Sequence, residues 1–568
     1  MRFLFSSNPD NFARIKQILP DLPYTACGSW GCVVASASFY SGLDPVIAQD
    51  AVCVVVADPL CGETESPPDP DDPPKVRASQ VRTLSLLRSA RKTGLLPHPS
   101  HAGTVLVLPT QDPAVGERQA WGITDASGFG SVYYRATPGG GLILGSSPDL
   151  VAALHATPMC RTSALELLAV GRVSPPHTLY LGIWEIPAAM RFSFLKGELI
   201  TQKWWTPPPQ QPEMTLKEAT VGLEAGIRLF GQMLRAQVSD AGWMTLSAGM
   251  DTRYVLALLS GLLDLRTVTT GVEGSPNMFV AAQVAKTLGV PNRAVIRPEG
   301  HYCRLAMDLD LGFPSHHDVG SAHYQNGALG ADIGPFLIGA YRADVILLRH
   351  NDHVARRNAA IAQGLLPEGC PSWFTPLAAQ LHPNDVAAIS ARIEKAGREL
   401  GFDEATMASP GFLPLNWQRS SAKGHFDAAA QNYPMYEPFV TRAMCDFSAR
   451  LPAHRVTPVT TKAEDRKRLY YSGKLAALGK IPVNPTDTPE YAAMLVAIKK
   501  ALPTELRPRN LMEGGEWAEH RGAFEAPFRV RLAEAEIWVA QTFGIQLPGA
   551  RYLHNRVIQL KVAWDRNG

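Results

Sequence analysis

Up to about residue 205 the apolar positions come in short β-type runs, at 51–56, 103–108, 131–134 and 141–144, punctuated by Gly, Pro and Asp. One helix start stands out among them: Ser163-Ala164-Leu165-Glu166 reads as a capping box opening Leu167-Leu168-Ala169-Val170. The acidic, proline-rich stretch 63–74 holds too few apolar residues to pack a core and predicts a mobile loop. A second proline cluster, Pro207-Pro208-Pro209-Gln210-Gln211-Pro212, reads as a stiff interdomain linker. After Met214 the texture changes. A helical pattern at 216–238 leads into the strand Trp243-Met244-Thr245-Leu246. A helix near 253–263, a strand at 267–270, a helix around 279–286 and a strand at 293–296 follow. Such alternation implies a parallel sheet covered by helices. From about 300 to 568 the pattern is mostly helical, and no internal repeat is evident.

Composition narrows the class. A chain of 568 residues, 46% hydrophobic and 19% charged, is globular and long enough for two or more domains. A net charge of +2 without a long basic tract argues against nucleic acid as the main partner. Polar residues break every apolar run well before the ~18 residues of a membrane span. The apolar start Met1-Arg2-Phe3-Leu4-Phe5 is too short for a signal peptide. Eight scattered cysteines without a Cys-x-x-Cys pair read as reduced thiols of a cytoplasmic protein.

Chemistry concentrates at Leu246-Ser247-Ala248-Gly249-Met250-Asp251-Thr252, between an apolar strand and a helix. The first amides of a helix lack intrahelical partners, so this junction is suited to an anion. Ser247 and Thr252 add hydroxyls, and Gly249 lets backbone approach closely. A carboxylate beside phosphate, Asp251, makes sense if Mg²⁺ lies between them. No lysine follows Gly249, which favours chemistry at an α-phosphate over transfer of the terminal one. The same residues also suit an ordinary turn in which Ser, Gly and Asp serve capping alone.

In order along the chain, four stretches resemble the asparagine synthetase-like amide-forming enzymes. They are Asp125-Ala126-Ser127-Gly128 with the strands at 133–134 and 141–147; the segment 174–187 with Lys203-Trp204-Trp205; the loop 247–252; and Glu437-Pro438-Phe439-Val440-Thr441-Arg442 with Leu451-Pro452 and Ile481-Pro482-Val483-Asn484-Pro485. The resemblance implies a fold of α/β and α+β class. Residues 1–206 would form a glutaminase-like β-sandwich with helices. Residues 214–568 would form a parallel-sheet ATP pyrophosphatase domain with a helical tail.

Two departures stand out. Glutamine-hydrolysing members use an N-terminal cysteine, and Arg2 stands in its place; a guanidinium cannot serve as the nucleophile. The chain thereby resembles the glutaminase-dead β-lactam synthetase and lasso-peptide cyclase groups. The family's second phosphate-contacting loop has its best candidate at 344–357, where the usual glycines are missing. There Asp352 could hold Mg²⁺, and Arg349, Arg356 and Arg357 could clamp phosphate; they also suit a basic surface loop. Lys480, with Lys474 second, would stabilise the departing pyrophosphate. Glu437 would orient an amine or act as base, or serve as a structural carboxylate.

The function implied is an ATP-dependent ligase that adenylates a small-molecule or peptide carboxylate and passes the acyl group to an amine, with ATP and Mg²⁺ as cofactors. Ring closure within one substrate is the form its glutaminase-dead relatives suggest. An ammonia-dependent primary amide synthetase and an inactive nucleotide-binding scaffold are the alternatives. The expected setting is cytoplasmic, as a homodimer or with biosynthetic partner proteins, without nucleic acid or membrane.

Overall fold

The structure is a computed structural model, and it describes residues 3–35, 46–47, 51–56, 60–61, 78–93, 95–110, 118–170, 172–247, 249–271, 276–296, 333–340, 380–401, 433–451, 526–545 and 554–567. Among the described residues the first twelve strands are β1 (Phe3–Ser6), β2 (Tyr24–Gly28), β3 (Gly31–Ala35), β4 (Val46–Ile47), β5 (Ala51–Val56), β6 (Thr104–Pro109), β7 (Ala120–Ile123), β8 (Tyr133–Thr137), β9 (Gly141–Gly145), β10 (Trp184–Glu185), β11 (Met190–Leu195) and β12 (Glu198–Lys203). They form two six-stranded sheets, in the orders β10-β8-β9-β1-β3-β2 and β12-β11-β7-β6-β5-β4.

Period-2 alternation builds this sandwich. Phe3 and Phe5 of β1, Val33 of β3, Val52 and Val54 of β5, and Leu106 of β6 meet between the sheets. The alternate positions Cys53, Val55, Val105 and Val107 face outward onto Leu84, Leu87 and Ala90 of α2 (Ala78–Thr93). On the far side Leu4, Cys32, Val34 and Ile143 join Ile15, Leu150 and Leu165 of α1 (Phe12–Ile18), α3 (Pro148–Leu154) and α4 (Arg161–Val170). Both faces of each sheet are therefore covered, and β5 is buried at all six positions because of it.

The capping box expected at Ser163–Glu166 is not formed. Helix α4 begins earlier, at Arg161, so Ser163 already lies within its first turn. Glu166 is completely buried and turns to the segment beyond the helix, accepting from the Ser174 N–H at 2.7 Å and from the Ser174 hydroxyl. Arg392 Nη1 lies 3.7 Å from its other oxygen. Three partners for a buried carboxylate outweigh one exposed capping bond. A capping box does occur at Thr215–Glu218, at the start of α5 (Leu216–Gln237).

After α5 come β13 (Ala241–Thr245), α6 (Met250–Leu259), β14 (Asp264–Gly271), α7 (Pro276–Leu288), β15 (Asn292–Ile296), β16 (Leu337–Ile338) and β17 (Met435–Tyr436). The five strands are all parallel, in the order β15-β14-β13-β16-β17. Leu223, Ile227 and Phe230 of α5, Val255 and Leu258 of α6 and Val284 of α7 pack with Met244, Ile338 and Tyr436 in one core. This is the mixed fold class expected: an antiparallel sandwich with helices, then a parallel sheet with helices.

Three later helices pack back onto the sandwich. Ile389 and Ile393 of Pro383–Leu400, Ala535 and Val539 of Ala526–Phe543, and Val557 and Leu560 of His554–Asn567 share the core of α3 and α4. Among the described residues no helix is long and apolar enough to cross a membrane.

Candidate active site

The parallel sheet reverses its order between β13 and β16. From β13 the chain moves outward through α6 and α7 to β14 and β15, then returns to the other side as β16 and β17. Crevices beyond the carboxyl ends of strands at such a reversal are where open α/β sheets take ligands. The loop 246–249 leaves β13 at that point. Gly249 is the exposed N-cap residue of α6, in extended conformation, and provides no side chain to cap the helix. Helices α3 and α5, by contrast, receive side-chain caps from Ser147 and Thr215. The first turn of α6 thus presents its amides without an N-cap oxygen, and Asp251 and Thr252, both half-buried, stand in that turn.

The hydroxyls expected to meet an anion are instead turned on the loop itself. Ser247 N–H donates to Thr252 Oγ1 at 3.2 Å, the two side-chain oxygens lie 3.0 Å apart, and Gly249 N–H donates to Ser247 Oγ at 3.0 Å. Thr252 Oγ1 also reaches the Gly249 carbonyl at 3.1 Å. Ser247 and Thr252 therefore hold the curve of the loop. Arg253, one residue on, is completely buried. Leu246 is buried beneath the loop, and Met250 opens the helix. Ala248 lies outside the described residues.

Glu437 sits at the same edge of the sheet. Met244 of β13 aligns with Ile338 of β16, and Ile338 with Tyr436 of β17, so Thr245, Gly339 and Glu437 come at one level, with Leu246 one residue beyond. Two strand spacings separate the loop from Glu437, about 10 Å. Its side chain is completely buried against Gly339, where an added Cβ would stand 1.8 Å from Oε1. His101 reaches this point from the sandwich: its Nε2 accepts from the Glu437 N–H at 2.9 Å, and its ring lies 5.4 Å from that of Tyr436 and 6.0 Å from that of Phe230. Sequence reading singled out neither His101 nor Gly339. A glycine directly after the apolar Phe336-Leu337-Ile338 is the one signal that could have marked the latter.

The structure thus brings together 246–247, 249–252 and Glu437 on one sheet edge. Lys480, Arg349, Arg356 and Asp352 lie outside the described residues, as does Arg2. Among the described residues no three His, Cys, Asp or Glu side chains cluster as a metal site. A single carboxylate, Asp251, still fits Mg²⁺, which is commonly held by one or two carboxylates together with phosphate oxygens and water.

No protein-family model matches the chain, and no curated protein does. Among solved structures it is similar to the NH₃-dependent NAD synthetase of Campylobacter jejuni, at 12% identity. That match covers 34% of this chain and 99% of the other, with a TM-score of 0.19.

Proposed function

We propose that this chain is an ATP-dependent amide-bond-forming ligase. In this reading a substrate carboxylate attacks the α-phosphate of ATP, pyrophosphate departs, and an amine attacks the acyl carbon of the adenylate, displacing AMP. The observation that carries it is the loop 246–252, set where the parallel sheet reverses and leading into a helix whose N-cap residue, Gly249, has no capping side chain. Gly249 leaves room for a phosphate, and the first-turn amides of α6 face negative charge with the helix dipole behind them. Asp251 would hold Mg²⁺, which when bound neutralises charge building on the pyrophosphate. Ser247 and Thr252 keep the loop in shape through their mutual hydrogen bonds.

Glu437, on the same edge, would orient the amine, with Lys480 balancing the leaving group and Asp352, Arg349 and Arg356 completing the phosphate site. Holding amine and acyl-adenylate together supplies much of the rate. Residues 1–206 and 214–568 would be the two domains. The test is chromatography of nucleotides after incubating the protein with ATP, Mg²⁺ and a panel of amino-carboxylate substrates. AMP with pyrophosphate is expected. ADP as the product, or no binding of ATP at all, overturns the reading.

A further inference from the structure

The hairpin β2–β3 places two cysteines opposite each other. In its register Cys27 pairs with Cys32, followed by Gly28 with Gly31 across the turn. Directly opposite residues of an antiparallel pair have Cα atoms about 4.5–5.5 Å apart. That interval falls within the ~4.4–6.8 Å spanned by disulfides. Both side chains project from the same face of the sheet, since cross-strand partners share a face. Both are free thiols.

Their surroundings differ. Cys27 is exposed at the edge of the sheet, where β2 has β3 as its sole neighbour among the described residues. Cys32 is completely buried in the core under α1, and its Sγ donates to the Asn8 carbonyl at 3.5 Å. Burial, with the neighbouring Cys27 sulfur adding to it, pushes the Cys32 thiol up to about 12. An edge strand has no second ladder to resist the small inward shift that a bond between the sulfurs requires.

We propose that Cys27 and Cys32 form an oxidisable dithiol, converted reversibly to a disulfide by low-molecular-weight disulfides of the glutathione class. The order of events follows from access. The Cys27 thiolate attacks one sulfur of the small disulfide, forming a mixed disulfide and releasing one small thiolate. Cys32 then attacks the Cys27 sulfur, its proton passing to the released thiolate, and the second small thiol leaves. Two protein thiols and one small disulfide become one protein disulfide and two small thiols, so electrons and protons balance. The raised Cys32 thiol confines that residue to the second, intramolecular step, where its partner is already in place.

The sequence provides a clean readout. Chymotrypsin cuts after Tyr24, Trp30 and Phe39, which puts Cys27 and Cys32 on separate peptides, 25–30 and 31–39. Full-length reduced protein is incubated with oxidised glutathione, blocked with N-ethylmaleimide, digested and analysed by mass spectrometry. The two peptides are expected joined by a disulfide. Cys32→Ser should lose the linked species and retain one glutathione on Cys27. Cys27→Ser, a change at the exposed position, should leave Cys32 unmodified. Glutathione persisting on Cys27 of the unaltered protein, Cys27 left unmodified in both that protein and Cys32→Ser, or either cysteine joined to a different one would each overturn the proposal.

Discussion

His101 Nε2 accepts a hydrogen bond from the backbone N–H of Glu437 at 2.9 Å, across 336 residues of sequence. Because Nε2 accepts, the ring proton resides on Nδ1, which lies 3.2 Å from the Ala102 carbonyl. The imidazole is therefore neutral, with both nitrogens engaged. A second bond nearby, Arg442 N–H to the Ser100 carbonyl at 3.0 Å, ties the same two segments. The loop before β6 thus fixes the backbone just after β17, where the candidate site has its buried carboxylate.

Replacing His101 by Phe should expose the value of that bond. The ring would still fill the space between Phe230 and Tyr436, but the buried Glu437 N–H would lose its acceptor. An unsatisfied buried donor costs about 1–3 kcal/mol. Urea denaturation should show a loss of that size, partly restored by His101→Gln, whose side-chain oxygen can accept. A Phe variant as stable as the parent would deny the bond any weight.

Gly339→Ala tests the position of the Glu437 carboxylate. The new methyl would coincide with Oε1 at 1.8 Å, so the side chain must move or the strand end must yield. Overpacking of this kind costs about 1–3 kcal/mol. Melting should fall accordingly, while Gly334→Ala, whose Cβ would come no nearer than 3.8 Å to Trp243, should be nearly silent. Equal effects at the two glycines would contradict the packing described.

Much of the fold was legible because periodicity reports directly on burial. The run expected at 51–56 coincides with β5, and the helix expected at 216–238 differs from α5 by one residue at its end. The site was legible as a strand–loop–helix junction. What periodicity could not reveal is which partner an apolar stripe meets. Val539 and Leu560 lie on C-terminal helices, yet they pack with α3 and α4. Nor could it reveal pairings distant in sequence, such as His101 with Glu437, or a strand as short as β16. Ser163–Glu166 misled because the capping pattern is local, whereas Glu166 is satisfied by Ser174 and Arg392.

Arg392 joins a later helix to the sandwich through that carboxylate. Its guanidinium also donates to Ser163 Oγ at 3.1 Å. Arg392→Met keeps the apolar reach of the side chain and removes the charge, leaving Glu166 buried with Ser174 alone among these partners. Breaking one side of a buried ion pair costs about 3 kcal/mol or more. Thermal denaturation should register this loss, and Glu166→Gln in the same chain should recover part of it. No recovery would mean the pair is not coupled.

His98 should titrate below the ordinary histidine range. Burial lowers it first, then the charges of Arg191 and Arg442, while its ring stacks 4.7 Å from that of Trp204. The folded state therefore holds the proton less tightly than the unfolded chain. Its contribution is present above about pH 6.5 and is lost as the pH falls through that unfolded value toward the lower folded one. Nuclear magnetic resonance of the imidazole should place its midpoint below that of the unfolded chain, and Arg442→Gln should raise it. A midpoint unmoved by that substitution would exclude the Arg442 charge as a cause.

Asp251→Asn bears on the proposed chemistry itself. Asp251 is half-buried in the first turn of α6, where a carboxylate already interacts well with the helix dipole. Losing that favourable term should cost only about 0.3–1 kcal/mol, so the variant should fold and melt close to the parent. Metal binding is a different matter. An amide oxygen carries no charge and is a poor ligand for Mg²⁺, which must exchange hydration water for it. Calorimetric titration with ATP should show tighter binding with Mg²⁺ than with a chelator in the parent. In Asp251→Asn that advantage should fall at least about tenfold, equivalent to 1.4 kcal/mol. ATP binding without metal should change little or strengthen, because one negative charge beside the phosphates is gone. A folded variant with the parent's full Mg²⁺ dependence would remove Asp251 from the metal site and leave it a helix-start carboxylate.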